Sequence, residues 1–293
     1  MPPCCASSRR SCRRRSSRGA TGTEPSVASI GIFDSGVGGL SVWREIAFLL
    51  PDVDLIYFAD QGYCPYGPRT LPDIRQRVEK VARFLLAQEI ELLVVACNTA
   101  SAAALSHLRG LFDLPIVGME PALKPAVEKT NSGKVAVMAT PATFQGEPFG
   151  RLMARFAHGV QVFVQPCPGL VEQVEQGDLD GPVTQRLLHR YLDGLPAQGV
   201  DELVLGCTHY PFLRPAIEAV VGAGVQVIDP APAVARQARR LWERLETKPL
   251  TSSVPQRRFY TTGPAERLRQ QLWQLLGPKA AHQANVQTAS LHE

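Results

Sequence analysis

The chain has no apolar run approaching the ~18 residues that cross a membrane as a helix. It also lacks the paired C-x-x-C and H-x-x-x-H spacings that make a metal motif strong. Its first 29 residues are poor in acids and hold only Glu24. The first absence argues against a helical membrane span, and the second gives no basis for a resident metal. The third locates the positive charge: six arginines lie between Arg9 and Arg18, so the net +4 divides into +5 in the head (6 − 1) and −1 in the remainder. The body therefore offers no electrostatic case for nucleic acid.

The head also lacks the apolar segment of a secretory signal. Its Arg- and Ser-rich composition has transit-peptide character, but no amphipathic pattern follows. A disordered extension over residues 1–28 is expected, with no part in the fold. Of seven cysteines, three (Cys4, Cys5, Cys12) lie in this head. The other four, Cys64, Cys97, Cys167 and Cys207, form no paired framework, which points to free thiols in a reducing cytoplasm. At 293 residues, 45% hydrophobic and 20% charged, the chain suits two modest domains.

Two segments echo each other 110 positions apart: Leu92-Leu93-Val94-Val95-Ala96-Cys97-Asn98-Thr99 and Glu202-Leu203-Val204-Leu205-Gly206-Cys207-Thr208-His209. Each is an apolar run of strand length that ends in a small residue and a cysteine. Earlier strands are expected at 29–33 and 54–60, with a glycine-rich turn, Asp34-Ser35-Gly36-Val37-Gly38-Gly39, after the first. The pattern restarts near Gly133. Pairing Asp34 with Ala139, Ala59 with Pro166 and Cys97 with Cys207 gives offsets of 105, 107 and 110. A duplicated βαβ unit follows, and with it an α/β fold of two pseudo-symmetric, doubly wound domains. The sheets should be mainly parallel, with the active site in the cleft between the domains. Residues 29–120 with 231–277 are expected to form the first domain and 121–230 the second. The tail 278–293 has no assignment, and the final helices, Ala233 to about Leu245 and Ala265 to about Leu276, should pack on the first half.

A thiol at a strand end that opens a helix feels the helix's positive end, which favours thiolate. Two such thiols facing one carbon suit removal of a proton from one face and its return to the other. Asp34 is set to hold the Cys97 proton or a substrate ammonium group, and Ser35 to hold a carboxylate. His209 can orient the Cys207 thiol, with Glu175 fixing its tautomer. Tyr66-Gly67, in the Pro-Tyr-Gly loop, offers backbone donors and a phenol. Asn98, Thr99 and Thr208 are suitable donors for developing charge. No lysine sits in a setting that suggests a Schiff base.

The motifs Ile32-Phe33-Asp34-Ser35-Gly36-Val37-Gly38-Gly39-Leu40, Pro65-Tyr66-Gly67, Ala96-Cys97-Asn98-Thr99-Ala100 and Leu205-Gly206-Cys207-Thr208-His209-Tyr210-Pro211 occur in that order. They closely resemble the glutamate racemases of the cofactor-independent aspartate/glutamate racemase superfamily, over about Ile30 to Leu276. The resemblance implies interconversion of L- and D-glutamate, supplying D-glutamate for bacterial peptidoglycan, with neither cofactor nor metal. It implies that Cys97 deprotonates the D-isomer and Cys207 the L-isomer. Asp34-Ser35, Tyr66-Gly67, Asn98-Thr99 and Thr208-His209 would line the substrate site, while Asp34 and the His209-Glu175 pair tune the two thiols. One departure is Ala139-Thr140-Pro141-Ala142-Thr143, where the family has Gly-Thr-x-Gly-Thr, which leaves substrate contact by Thr140 and Thr143 open. The implied partner is the small-molecule substrate, with no nucleic acid or membrane. Oligomeric state is not legible, a homodimer being one assembly the sequence allows.

Rival readings remain at this point. Gly36-x-Gly38-x-x-Ser41 after a strand, with Asp54 and Asp60 about 20 residues on, nearly fits a dinucleotide-binding turn. Cys97, Cys207, His209 and a carboxylate could serve a metal hydrolase. An inactive binding protein and a racemase of aspartate or another amino acid complete the set.

Overall fold

The computed structural model describes residues 28–145, 147–245 and 254–291. Apart from Ala28, the extension expected over 1–28 lies outside the described residues. The expected fold class is observed: two parallel sheets with helices between their strands. The first sheet contains β1 (Ser29–Asp34), β2 (Asp54–Ala59), β3 (Ile90–Val95) and β4 (Ile116–Val117). The second contains β5 (Lys134–Ala139), β6 (Gln161–Pro166), β7 (Glu202–Leu205) and β8 (Gln226–Ile228).

Their spatial orders are β2-β1-β3-β4 and β6-β5-β7-β8, the same winding twice. The repeat is visible residue by residue. Asp34 is the register partner of Ala59 in one sheet, and Ala139 of Pro166 in the other. β1 and β2 are buried throughout, which is why they read as unbroken apolar runs with no two-residue alternation.

Two further strands extend the first sheet: β9 (Arg257–Thr261) pairs with β2, and β10 (Asn285–Thr288) pairs with β9. Neither is apparent in the sequence. β9 opens on two arginines and buries only Phe259 and Thr261, and β10 buries only Val286. The segment left without assignment, 278–293, thus supplies an edge strand to the first sheet. Phe259 earns its place by packing on Trp43 and Tyr57, at ring-centroid distances of 5.2 and 6.0 Å.

The helices follow their local signals. The helix Leu71–Leu86 is capped by Thr70, whose hydroxyl accepts from the Asp73 amide, and it buries Ile74, Val78, Val81 and Leu85. A cap of this kind is worth about 1 kcal/mol. The final helices, Ala231–Trp242 and Ala265–Leu276, agree with expectation, and the first packs on the helix Leu40–Leu49. The largest apolar cluster runs through both lobes, from Ile30 and Leu40 to Leu188, Leu203 and Tyr210. Among the described residues no helix is long and apolar enough to cross a membrane.

Candidate active site

The carboxyl ends of the central strands of both sheets converge on one small cavity. It is lined by Ser35, Tyr66, Gly67, Cys97, Asn98 and Thr99 from the first lobe, and by Thr140, Cys207, Thr208 and His209 from the second. Cys97 follows β3 and Cys207 follows β7, two equivalent positions in the repeated winding.

The two thiols have different surroundings. Cys97 caps the helix Asn98–Leu111: its Sγ accepts from the Ala100 amide at 3.4 Å and lies 3.9 Å from Ser35 Oγ. The helix start was expected to favour thiolate there. Instead, burial, reinforced by the nearby Asp34, outweighs the Ala100 amide and pushes the thiol up. Cys207 opens no α-helix directly. A 3-10 turn, Tyr210–Leu213, comes before the helix Arg214–Val221, and the Cys207 Sγ has His209 Nδ1 at 3.7 Å.

His209 is joined to Glu175 by a 2.8 Å bond from Nε2 to Oε1. Burial alone would raise the Glu175 carboxyl, but the His209 hydrogen bond and charge, the Val37 amide at 2.7 Å and Gln61 bring it down to about 2. Burial likewise opposes the His209 charge, and bonds to Cys207 and Glu175 overcome it, holding the imidazole well above its ordinary value. The pair is therefore an imidazolium–carboxylate pair behind one thiol.

The glycine turn exists to admit this pair. A Cβ on Gly36 would lie 1.8 Å from Glu175 Oε1, and one on Gly38 would lie 2.3 Å from His209 Nδ1. The anion cradled by the turn is thus the protein's own Glu175, which takes the Val37 N–H. This corrects the dinucleotide reading, because the space a pyrophosphate would need is filled from the other lobe.

Asp34 is fully buried and stands behind the cavity, not on its surface. Its Oδ1 accepts from the Gly36 amide at 2.8 Å and the Ser35 hydroxyl at 3.4 Å, and its Oδ2 from the Thr208 hydroxyl at 2.9 Å. Burial raises its carboxyl despite the His209 charge and these donors. Glu175 is likewise set back and reaches the cavity only through His209. Tyr66 lines the cavity, but its phenol is spent elsewhere, donating to Asp60 Oδ2 at 2.7 Å. Asp60 also receives a bidentate Arg77. Asn98 differs: both its amide nitrogen and its oxygen are buried with no protein partner. Thr140 bonds Thr99 at 2.9 Å and Thr143 at 3.0 Å, so Pro141 leaves an inter-lobe hydroxyl cluster intact. Thr140 borders the cavity, whereas Thr143 turns toward a neighbouring groove.

Sequence reasoning missed the supports of Glu175. Gln61 Nε2 donates to both Glu175 Oε2 (3.1 Å) and Gln271 Oε1 (2.7 Å), and the Gln61 Oε1 accepts from Thr261. Arg267 and Gln271 donate to the Glu175 carbonyl, which the left-handed Gly177 leaves exposed at the helix end. Gln61 directly follows a strand-end aspartate, a position worth notice. Gln271 lies in an ordinary amphipathic helix and carries no sequence signal.

A family model described as Asp/Glu/hydantoin racemase matches residues 38–238, from the glycine turn to the helix after β8. The chain belongs to the Asp/Glu/hydantoin racemase family. Among members of the racemase family, it is 49% identical to the glutamate racemase of Ectopseudomonas mendocina over 259 residues, covering 87% of this chain and 97% of that one. It is 48% identical to the glutamate racemase of Pseudomonas aeruginosa (strain PAO1) over 244 residues, 82% and 91% of the two chains. The crystal structure of Escherichia coli glutamate racemase in complex with L-glutamate and the activator UDP-MurNAc-Ala superposes with a TM-score of 0.80 at 32% identity, covering 90% of this chain and 99% of that one. The Francisella tularensis glutamate racemase in complex with D-glutamate gives 0.77 at 28%, over 90% and 98%. Racemase membership also sets aside the hydrolase reading.

Proposed function

We propose that the protein interconverts L- and D-glutamate by two-base proton transfer between Cys97 and Cys207, with no cofactor. The observation that carries this is the pair of strand-end thiols, one from each copy of a repeated unit, lining one cavity from opposite lobes. Relatives at 48–49% identity that are glutamate racemases favour glutamate over aspartate.

An amino acid's α-hydrogen is a poor acid because the carbanion forms beside a carboxylate. Preorganised donors must offset that charge. Asn98 has an uncommitted amide facing the cavity, and Ser35, Thr99 and Thr208 add hydroxyls. In the L-to-D direction Cys207 takes the proton, with His209 beside its sulfur and Glu175 fixing that ring, and Cys97 supplies a proton to the opposite face. Asp34 acts through Ser35 and Thr208. The cavity, at about 10 Å³, has room for a single water, so an amino acid enters only if the lobes part. The domains we assign are 29–120 with 231–277, joined by the tail strand β10, and 121–230. They would open at the crossings Glu120-Pro121 and Asp229-Pro232. D-Glutamate so made would feed peptidoglycan synthesis in the cytoplasm. All the named groups come from one chain, so the chemistry does not require a homodimer, nucleic acid or membrane.

The test is racemisation of enantiopure L- and D-glutamate, followed by polarimetry without added cofactor and with aspartate as comparison. Cys97→Ala and Cys207→Ala should each lower kcat by roughly 10²–10⁴-fold or more. Near wild-type turnover by either variant defeats the two-base assignment, and faster turnover of aspartate defeats the choice of substrate.

A further inference from the structure

We propose that Cys64, Glu175 and His209 form an inhibitory site for one soft divalent cation, zinc by its ligand chemistry. Their ligand atoms (a thiol sulfur, a carboxylate oxygen and a ring nitrogen) all lie within 4.8 Å of one another. They come from three separate elements: the loop after β2, the helix Leu170–Gln176 and the turn after β7. Thiolate, imidazole and carboxylate together are a zinc donor set. Bonds of about 2.0–2.3 Å in a tetrahedral arrangement put ligand atoms roughly 3.5 Å apart. The trio must therefore rearrange by about 1 Å: the 2.8 Å His209–Glu175 pair widens, and Cys64, the least buried member, closes in by a small rotation.

The site has its own mouth. A pocket of about 150 Å³, bordered by Gln61, Cys64, Glu172, Glu175, Gln176 and Arg267, reaches Cys64 and Glu175; Pro65 and Val171 border both it and the substrate cavity, and His209 borders the substrate cavity. Neither Cys97 nor Cys207 borders it. Glu172 supplies negative charge at the entrance and Arg267 opposes it.

Binding replaces the Cys64 S–H bond and one His209 N–H bond by bonds to the metal and releases two protons to solvent, with no change of oxidation state. The cation would claim both members of the His209–Glu175 pair. Whichever ring nitrogen it takes, His209 loses its bond to Glu175 or its contact with Cys207. The inhibitory consequence rests on the racemase reading, whereas the binding does not.

The test uses the full chain, wild type and Cys64→Ser, with Cys64→Ala as a second variant should serine disturb folding. Cobalt(II) titration should give a thiolate-to-metal charge-transfer band in wild type that both variants lack. Zinc should inhibit wild-type racemisation, reversibly with a chelator, and about ten-fold or more weakly in the variants, whose activity without zinc should match wild type. An undiminished cobalt band, or an unchanged zinc midpoint, in the Cys64 variants overturns the proposal and assigns the metal to other thiols. Absence of turnover in every protein under chelator would instead count against the racemase reading, leaving the cobalt band to decide the site.

Discussion

Replacing Glu175 by glutamine tests the electrostatics behind Cys207 most directly. The carboxyl's fall from 4.5 to about 2 corresponds to about 3 kcal/mol of stabilisation at neutral pH. The substitution keeps the shape and removes the charge. It also sets amine against amine: Oε1 must still accept from Val37 and His209, so the new N–H₂ falls at Oε2, facing Gln61 Nε2. Gln61 cannot turn its amide over without losing Gln271 and Thr261. Removing one partner of a buried pair costs about 3–5 kcal/mol, and that is the expected loss for Glu175→Gln at about pH 7. The sign of its pH dependence follows from the depressed carboxyl. The contribution is complete above the unfolded value of 4.5 and disappears as pH falls toward about 2. The difference between wild type and variant, read from urea unfolding, should therefore be flat from about pH 7 to pH 5 and shrink below. Turnover from L-glutamate should fall with it. A variant as stable as wild type at pH 7, with an unchanged pH profile of kcat, refutes the account.

Other expectations follow from single contacts. Gly36→Ala should abolish activity, since its Cβ would stand 1.8 Å from Glu175 Oε1; an active variant in a racemisation assay would show that Glu175 does not need this seat. Tyr66→Phe removes a hydroxyl committed to Asp60, so it should cost about 1 kcal/mol of stability and leave KM unchanged. A large rise in KM would mean the phenol meets substrate. Asp34→Asn should raise the Tm at pH 7, because a carboxyl whose folded value is raised loses stabilisation as pH climbs through that value; the Thr208 hydroxyl can reverse its bond to accommodate the amide. A lower Tm in thermal unfolding would contradict this.

The fold was legible because central parallel strands are buried on both faces and stand out as apolar runs such as Leu92–Val95. Duplication was legible because each run carries its cysteine to the same strand end. β9 and β10 escaped because these two strands on the outer side of the sheet are short and largely polar. The residues brought around the cavity include Cys97, Cys207, Asn98, Thr99, Thr208 and His209, all within motifs next to strand ends. Depth was not legible. Nothing local says that Asp34 and Glu175 stand behind others, or that the Tyr66 phenol turns to Asp60. The purpose of the glycines was hidden for the same reason, since the side chains that need their space come from about 140 and 170 residues downstream.

The sheet completed by β9 and β10 sets an order of events during synthesis. The strands of the second lobe, from Lys134 to Ile228, emerge from the ribosome as one continuous stretch. The first lobe, although begun earlier, leaves β2 an open edge until Arg257–Thr261 appears, with Trp43 and Tyr57 awaiting Phe259. The half translated later is thus the first able to finish folding. A nascent chain arrested just before β9 exposes a bare strand edge, the species in which a chaperone would find most to hold.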